Sequence, residues 1–176
     1  MENIAEDKQA LYYFYLALSV NPNSVKTYKA IARTSKKAEE SLNGADFLYK
    51  ALCRFPLNAE LYAVKADLFR KIKDYDNAVF EYDYAVKNDK SNWKYYKERA
   101  DIKYLKNEIS SAIDDYTKAL TYNTDEPELY AQRGFLNFEL KNYTAAAEDY
   151  QKAAGLNPCR KHYAYMLKYA QELEQQ

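Results

Sequence analysis

The chain has 176 residues, enough for one domain with a hydrophobic core, and its 26 Lys plus Arg balance 26 Asp plus Glu. A net charge of zero offers no whole-molecule attraction to nucleic acid or to an anionic membrane, so neither is expected as a partner. Three Gly and four Pro leave few turn signals, while the abundance of Ala, Leu, Lys, Glu and Tyr favours helices over strands.

The first segment, up to Asn23, reads as one helix. Its apolar stretch from Ala10 to Val20 is too short to span a bilayer. Glu2, Glu6 and Asp7 ahead of that stretch carry the wrong sign for an export signal. Leu11, Tyr12, Tyr13, Phe14, Tyr15, Leu16 and Leu18 make the helix apolar on nearly every side, yet only Phe14, Ala17 and Leu18 need to face the following unit. With no earlier helix to cover the rest, Leu11, Tyr12, Tyr15 and Leu16 are candidates for self-association, and a two-fold homodimer is the simplest cover. The alternative is that the tyrosines lie along the surface with their hydroxyls in water.

From Val25 onward the chain repeats every 34 residues. Tyr28, Tyr62, Tyr96 and Tyr130 form one column, and Ala32, Ala66, Ala100 and Gly134 a second. Gly44, Ala78, Ala112 and Ala146 form a third; Ala17, Ala51, Ala85, Ala119 and Ala153 a fourth. Phe14, Leu48, Tyr82, Tyr116 and Tyr150 are always large, and Pro22, Pro56 and Pro158 share a column whose gaps hold Lys90 and Thr124. A unit of this length without strand signals holds two helices. Tiny residues let the backbones approach, large ones fill the space beside them, and Pro stops the second helix. Asp74, Glu108 and Asn142 stand at the inner turn, where a polar side chain can cap the second helix. The units run Val25–Asn58, Ala59–Asn92, Trp93–Glu126 and Pro127–Arg160. Residues from Lys161 read as a first helix alone, with a polar finish suited to capping a stack.

These columns resemble the tetratricopeptide repeat: an aromatic early in the first helix (Tyr28, Tyr62, Tyr96, Tyr130), a tiny residue four later, and an Ala-aromatic-Ala set in the second helix such as Ala78, Tyr82 and Ala85. Lys65, Arg99 and Arg133 depart from the usual Leu, and Lys90 and Thr124 from the usual Pro. The resemblance implies an all-helical, right-handed superhelical solenoid forming one domain over residues 1–176. It would hold four full repeats, an N-terminal half repeat (residues 1–24) and a C-terminal capping helix (residues 161–176).

Nothing in the sequence builds a catalytic centre. There is no Gly-rich phosphate loop and no metal-ligand spacing, and His162 is the single histidine. Asp114 with Asp115 and Glu39 with Glu40 read as solvated helix surfaces or turns. Cys53 and Cys159 lie about three repeats apart, so the chain is expected to be reduced and cytoplasmic, with no cofactor and no enzymatic activity.

The resemblance also implies that the first helix of each pair lines a concave groove. Its basic end would hold Lys26, Lys29, Arg33 and Lys36, followed by Arg70 and Lys94. Its aromatic end would hold Tyr104, Phe135 and Phe138, then Tyr165 and Tyr169 of the last helix. The basic run suits carboxylates on a partner, or else is a solvated face; the aromatic end suits burial against a ligand, or else contact with the capping helix. Co-chaperones of this fold clamp a C-terminal carboxylate with Lys, Asn and Arg at set positions. Lys29 and Lys94 fit, but Arg33 and Val64 replace the Asn residues and Glu98 stands where Arg is required, so that clamp is not expected. The expected function is therefore a scaffold binding a protein or peptide. A self-associating structural or secretion-chaperone-like protein is the alternative, and single-stranded RNA binding fits the zero net charge less well.

Overall fold

The computed structural model describes the backbone of residues 2–37 and 41–175, with side chains over 9–34, 45 and 47–175. Among these residues there are ten helices and no strand. They fall into two compact units, Met1–Lys90 and Ser91–Gln176. Unit 1 holds α1 (Glu2–Val20), α2 (Val25–Lys37), α3 (Ser41–Arg54), α4 (Ala59–Lys71) and α5 (Tyr75–Asn88). Unit 2 holds α6 (Trp93–Leu105), α7 (Ile109–Tyr122), α8 (Pro127–Glu139), α9 (Tyr143–Leu156) and α10 (Lys161–Glu174). Within each unit every helix packs on the next in sequence, and α2 also touches α4. No helix among the described residues is long and apolar enough to cross a membrane.

Local chemistry sets the helix ends. Ser24, Asn58 and Asn92 accept from the backbone N–H of Thr27, Leu61 and Lys94, which starts α2, α4 and α6. Pro127 sits at the start of α8, where its missing N–H costs nothing. Asp74 caps α5 by accepting from the Asn77 N–H, whereas Glu108 and Asn142 make no side-chain cap bond. The inner turns pass through left-handed residues at Lys73, Asn107 and Lys141 (φ 61°, 63° and 62°). The Tyr28 and Tyr62 hydroxyls donate to the Pro22 and Pro56 carbonyls, tying these two tyrosines to the turns before them.

The tiny columns lie at the helix contacts. Ala32, Ala66, Ala100, Ala78, Ala112, Ala146, Ala51, Ala85, Ala119 and Ala153 are all fully buried. A methyl group on Gly134 would come within 3.0 Å of the Asp149 Cβ, so α8 and α9 approach too closely for a relaxed alanine there. Two expectations for α1 are corrected. Ala17 is exposed, because α1 packs chiefly on α2 and the alanine contact needs a helix on both sides. Leu11 is buried with Leu18 in the unit-1 core and so is not part of an open face.

The positions where Lys65, Arg99 and Arg133 replace Leu are compensated. Each reaches a carboxylate sixteen residues later in the second helix of its own pair. Lys65 meets Glu81 at 2.6 Å, Arg99 grips Asp115 with two nitrogens, and Arg133 grips Asp149 at 2.9 and 2.6 Å. Lys103 also meets Asp115 at 2.8 Å. The three carboxylates are buried. One repeat earlier the same two positions hold Ile31 and Phe47, an apolar pair. Burial pushes the Asp149 carboxyl above the ordinary aspartate range even though the Arg133 guanidinium pulls the other way.

Candidate functional site

In unit 1 the first helices α2 and α4 carry the basic residues. Lys26 and Arg33 are exposed. Lys29 is half-buried and ion-paired with Glu60 of α4, so its charge is already answered. Arg70 meets Asp67 at 3.2 Å, and Asp67 accepts the Tyr82 hydroxyl at 3.0 Å. The side chain of Lys36 lies outside the described residues. The expected basic face therefore reduces, among these residues, to Lys26 and Arg33 beside two internal ion pairs. On α1, Tyr12, Tyr15 and Leu16 are exposed, as are Tyr13 and Val20.

In unit 2 the first helices are α6, α8 and α10. Lys94 is exposed with its ammonium over the Trp93 ring. Lys97 bonds to Asp101 at 2.7 Å; burial alone would lower its pKa, but the neighbouring carboxylates of Asp101 and Glu98 outweigh that and raise it. Toward α10 the face turns aromatic. Tyr104 meets the Phe135 ring edge-on at 5.9 Å and donates to Glu139 at 3.4 Å. Phe138 lies 5.4 Å from both Tyr143 and Tyr169, and Tyr165 stacks on Tyr169. Phe138 thus makes the capping-helix contact, while Tyr165 stays 65% and Tyr169 41% exposed.

Between α8, α9 and α10 lies a cavity of about 330 Å³. Ala131, Phe135, Tyr150, Tyr163 and Met166 give it apolar walls, and Glu128, Gln132, Arg160 and His162 line it with polar groups. Glu128 anchors the polar side. Partial burial works against its charge, but hydrogen bonds from Gln132 (2.8 Å) and Tyr163 (2.9 Å) and the Arg160 guanidinium (2.8 Å) prevail and hold its carboxyl below the ordinary glutamate range. The resemblance led to Phe135 as a groove residue; Glu128 and Gln132 share its helix, and His162 and Met166 lie on α10. Arg160, Tyr150 and Tyr163 were not foreseen at the site. The second is a core position by its column, Arg160 precedes α10, and Tyr163 lies in its first turn. The cavity is mostly apolar with a few convergent polar groups, the make-up of a binding pocket. Among the described residues no cluster of three or more His, Cys, Asp or Glu could hold a metal ion, and Cys53 and Cys159 are free and exposed.

Stacked helix pairs with a small-residue spine define an α-helical repeat solenoid. The tetratricopeptide repeat model matches residues 59–92 and 127–158, so the chain carries tetratricopeptide repeats there. No curated protein matches the sequence. Among solved structures, MamA covers 90% of this chain with 93% of its own length at a TM-score of 0.78 and 17% identity. YrrB, described as a TPR protein with an unusual peptide-binding site, has a TM-score of 0.73 and 16% identity, covering 95% of this chain and 86% of its own. The first TPR of Spaghetti (RPAP3), solved bound to the HSP90 peptide SRMEEVD, has a TM-score of 0.62 and 22% identity, covering 68% of this chain and 94% of its own. At these identities the likeness is one of fold.

Proposed function

We propose that the protein is an interaction scaffold without catalytic activity, and that unit 2 holds an extended peptide of its partner on the face of α6, α8 and α10. The cavity beside Phe135 carries this reading, because it pairs apolar walls with the exposed rings of Tyr104, Tyr165 and Tyr169. Peptide binding by RPAP3 and YrrB supports it at the level of the fold. The partner peptide differs from the acidic HSP90 tail. Glu128 and Glu98 line the unit-2 helices, and Lys29 is held by Glu60. In unit 1, Lys26 and Arg33 offer charge to acidic residues of a partner. The test is selection of displayed random peptides on the full chain, followed by calorimetry. Phe135→Ala should weaken the selected peptide by about 2–4 kcal/mol, as truncation of a buried aromatic anchor does; full affinity in that variant would remove the site from unit 2.

A second contact is proposed for α1. Tyr12 (65%), Leu16 (52%) and Val20 (82%) leave much of one helix apolar and open, which suits a second copy of the chain.

A further inference from the structure

One tyrosine lacks the partner that its equivalents have. Tyr82 in α5 donates its hydroxyl to Asp67 in α4 at 3.0 Å, and Tyr116 in α7 donates to Asp101 in α6. The 34-residue register places Tyr150 and Phe135 at the same two positions of α9 and α8. A phenyl edge cannot accept a phenolic proton. Tyr150 is 2% exposed, and among the described residues its hydroxyl meets no hydrogen-bond partner. Burial, with a smaller push from Asp149, raises its pKa to about 12, so at neutral pH the group is a donor. The tyrosine lines the 330 Å³ cavity, and folding supplies its donor with no acceptor among the described residues.

We infer that Tyr150 is the polar anchor of the unit-2 site: its hydroxyl donates to a backbone carbonyl of the bound peptide, whose aliphatic side chain fills the space between Ala131, Phe135 and Met166. This rests on the groove reading above and names the chemistry that it selects. The acceptor is a neutral carbonyl for an electrostatic reason. Glu128 already holds Arg160, so the cavity offers no spare cation to a carboxylate, and a second anion would face Glu128. The ligand completes, in trans, the bond that an aspartate completes in the two preceding helix pairs.

The experiment uses the full chain with methyl-labelled Ala and Met, observed by NMR. The probe is N-acetyl-leucine-N-methylamide, a single aliphatic residue with two amide carbonyls; N-acetyl-leucine supplies the carboxylate comparison. For a ligand of about a dozen non-hydrogen atoms the expected Kd is about a millimolar. The amide should shift the Ala131 and Met166 methyl signals, and the free acid should bind more weakly. Tyr150→Phe, which keeps the ring, should weaken the amide about three- to tenfold. Phe135→Asp supplies the internal acceptor found at Asp67 and Asp101 and should abolish binding in a chain that still melts cooperatively. An unchanged Kd in Tyr150→Phe overturns the inference and leaves the groove intact. So does the absence of shifts in the wild type at tens of millimolar probe, in which case water alone solvates the hydroxyl. Failure of the groove itself is read separately, from selected peptides that bind without Phe135.

Discussion

Replacing Lys65 alone should cost far more than replacing Lys65 and Glu81 together. Lys65 Nζ lies 2.6 Å from Glu81 Oε1, with 13% and 7% of the two side chains exposed. At that separation and an effective dielectric of ~20 the attraction is roughly 6 kcal/mol, set against several kcal/mol of desolvation for each ion. The terms nearly cancel, so the intact pair adds little net stability. Lys65→Ile removes the attraction and leaves the Glu81 carboxylate buried; the expected loss is about 3–5 kcal/mol. Lys65→Ile with Glu81→Phe copies the residues, Ile31 and Phe47, that hold these two positions one repeat earlier, and should range from neutral to ~4 kcal/mol more stable. Urea denaturation of the wild type, both single variants and the double variant closes a mutant cycle. Single losses that add up to the double variant's within about 0.5 kcal/mol would refute the reasoning, because two groups in a shared buried contact must couple.

Four other outcomes are expected. Ala119→Leu should lose about 1–3 kcal/mol in a thermal melt, since the residue is fully buried in α7; no loss would mean that the alanine column does not mark the helix contact. Lys141→Gly should gain about 0.5–1 kcal/mol, because glycine relieves the left-handed backbone at φ 62° at a smaller unfolded-state cost; a lower melting temperature would contradict this. Glu128 has its folded pKa held below the ordinary value, so its contribution is present above the unfolded pKa and is lost as pH falls through the folded one. The melting penalty of Glu128→Gln should thus be larger at neutral pH than near about pH 3, and equal penalties would show that the Arg160 and Tyr163 contacts do not act on its charge. Light scattering after size exclusion should give a dimer mass that Tyr12→Glu with Leu16→Glu converts to a monomer; a monomeric wild type at tens of micromolar ends the α1 proposal.

The helical class and the repeat family were legible because they rest on packing that recurs. A buried alanine such as Ala66 or Ala100 has to reappear wherever two backbones approach, and a 34-residue spacing exposes that need in one sequence. The buried ion pairs were not legible in the same way. Lys65, Arg99 and Arg133 looked like defects in an apolar column, because the partner that answers each lies across the inner turn in another helix, outside any single-helix period. Ala17 shows the converse. Its column was right about residue type but silent about burial, which depends on how many helices surround α1.

The site shows how far a column can be read by itself. Lys29 counts as a groove cation until Glu60, on the neighbouring first helix, is seen to hold it. Tyr150 counts as core, and by burial it is core; what sets it apart is a change in a different column, where Phe135 stands in the place of Asp67 and Asp101. Neither column alone carries the signal. Large aromatics are ordinary at the one position, and the other lies on a face where apolar residues need no explanation. Only the pair reveals a donor that has kept its burial and lost its acceptor. The physical requirement that buried hydroxyls be satisfied then turns a conservative-looking aromatic into evidence about what enters the cavity. The same joint reading applied to Lys65 with Glu81, and to Ile31 with Phe47, separates positions that changed together from positions where one partner changed alone. The first kind preserves a contact inside the fold, and the second leaves a group to be satisfied from outside it.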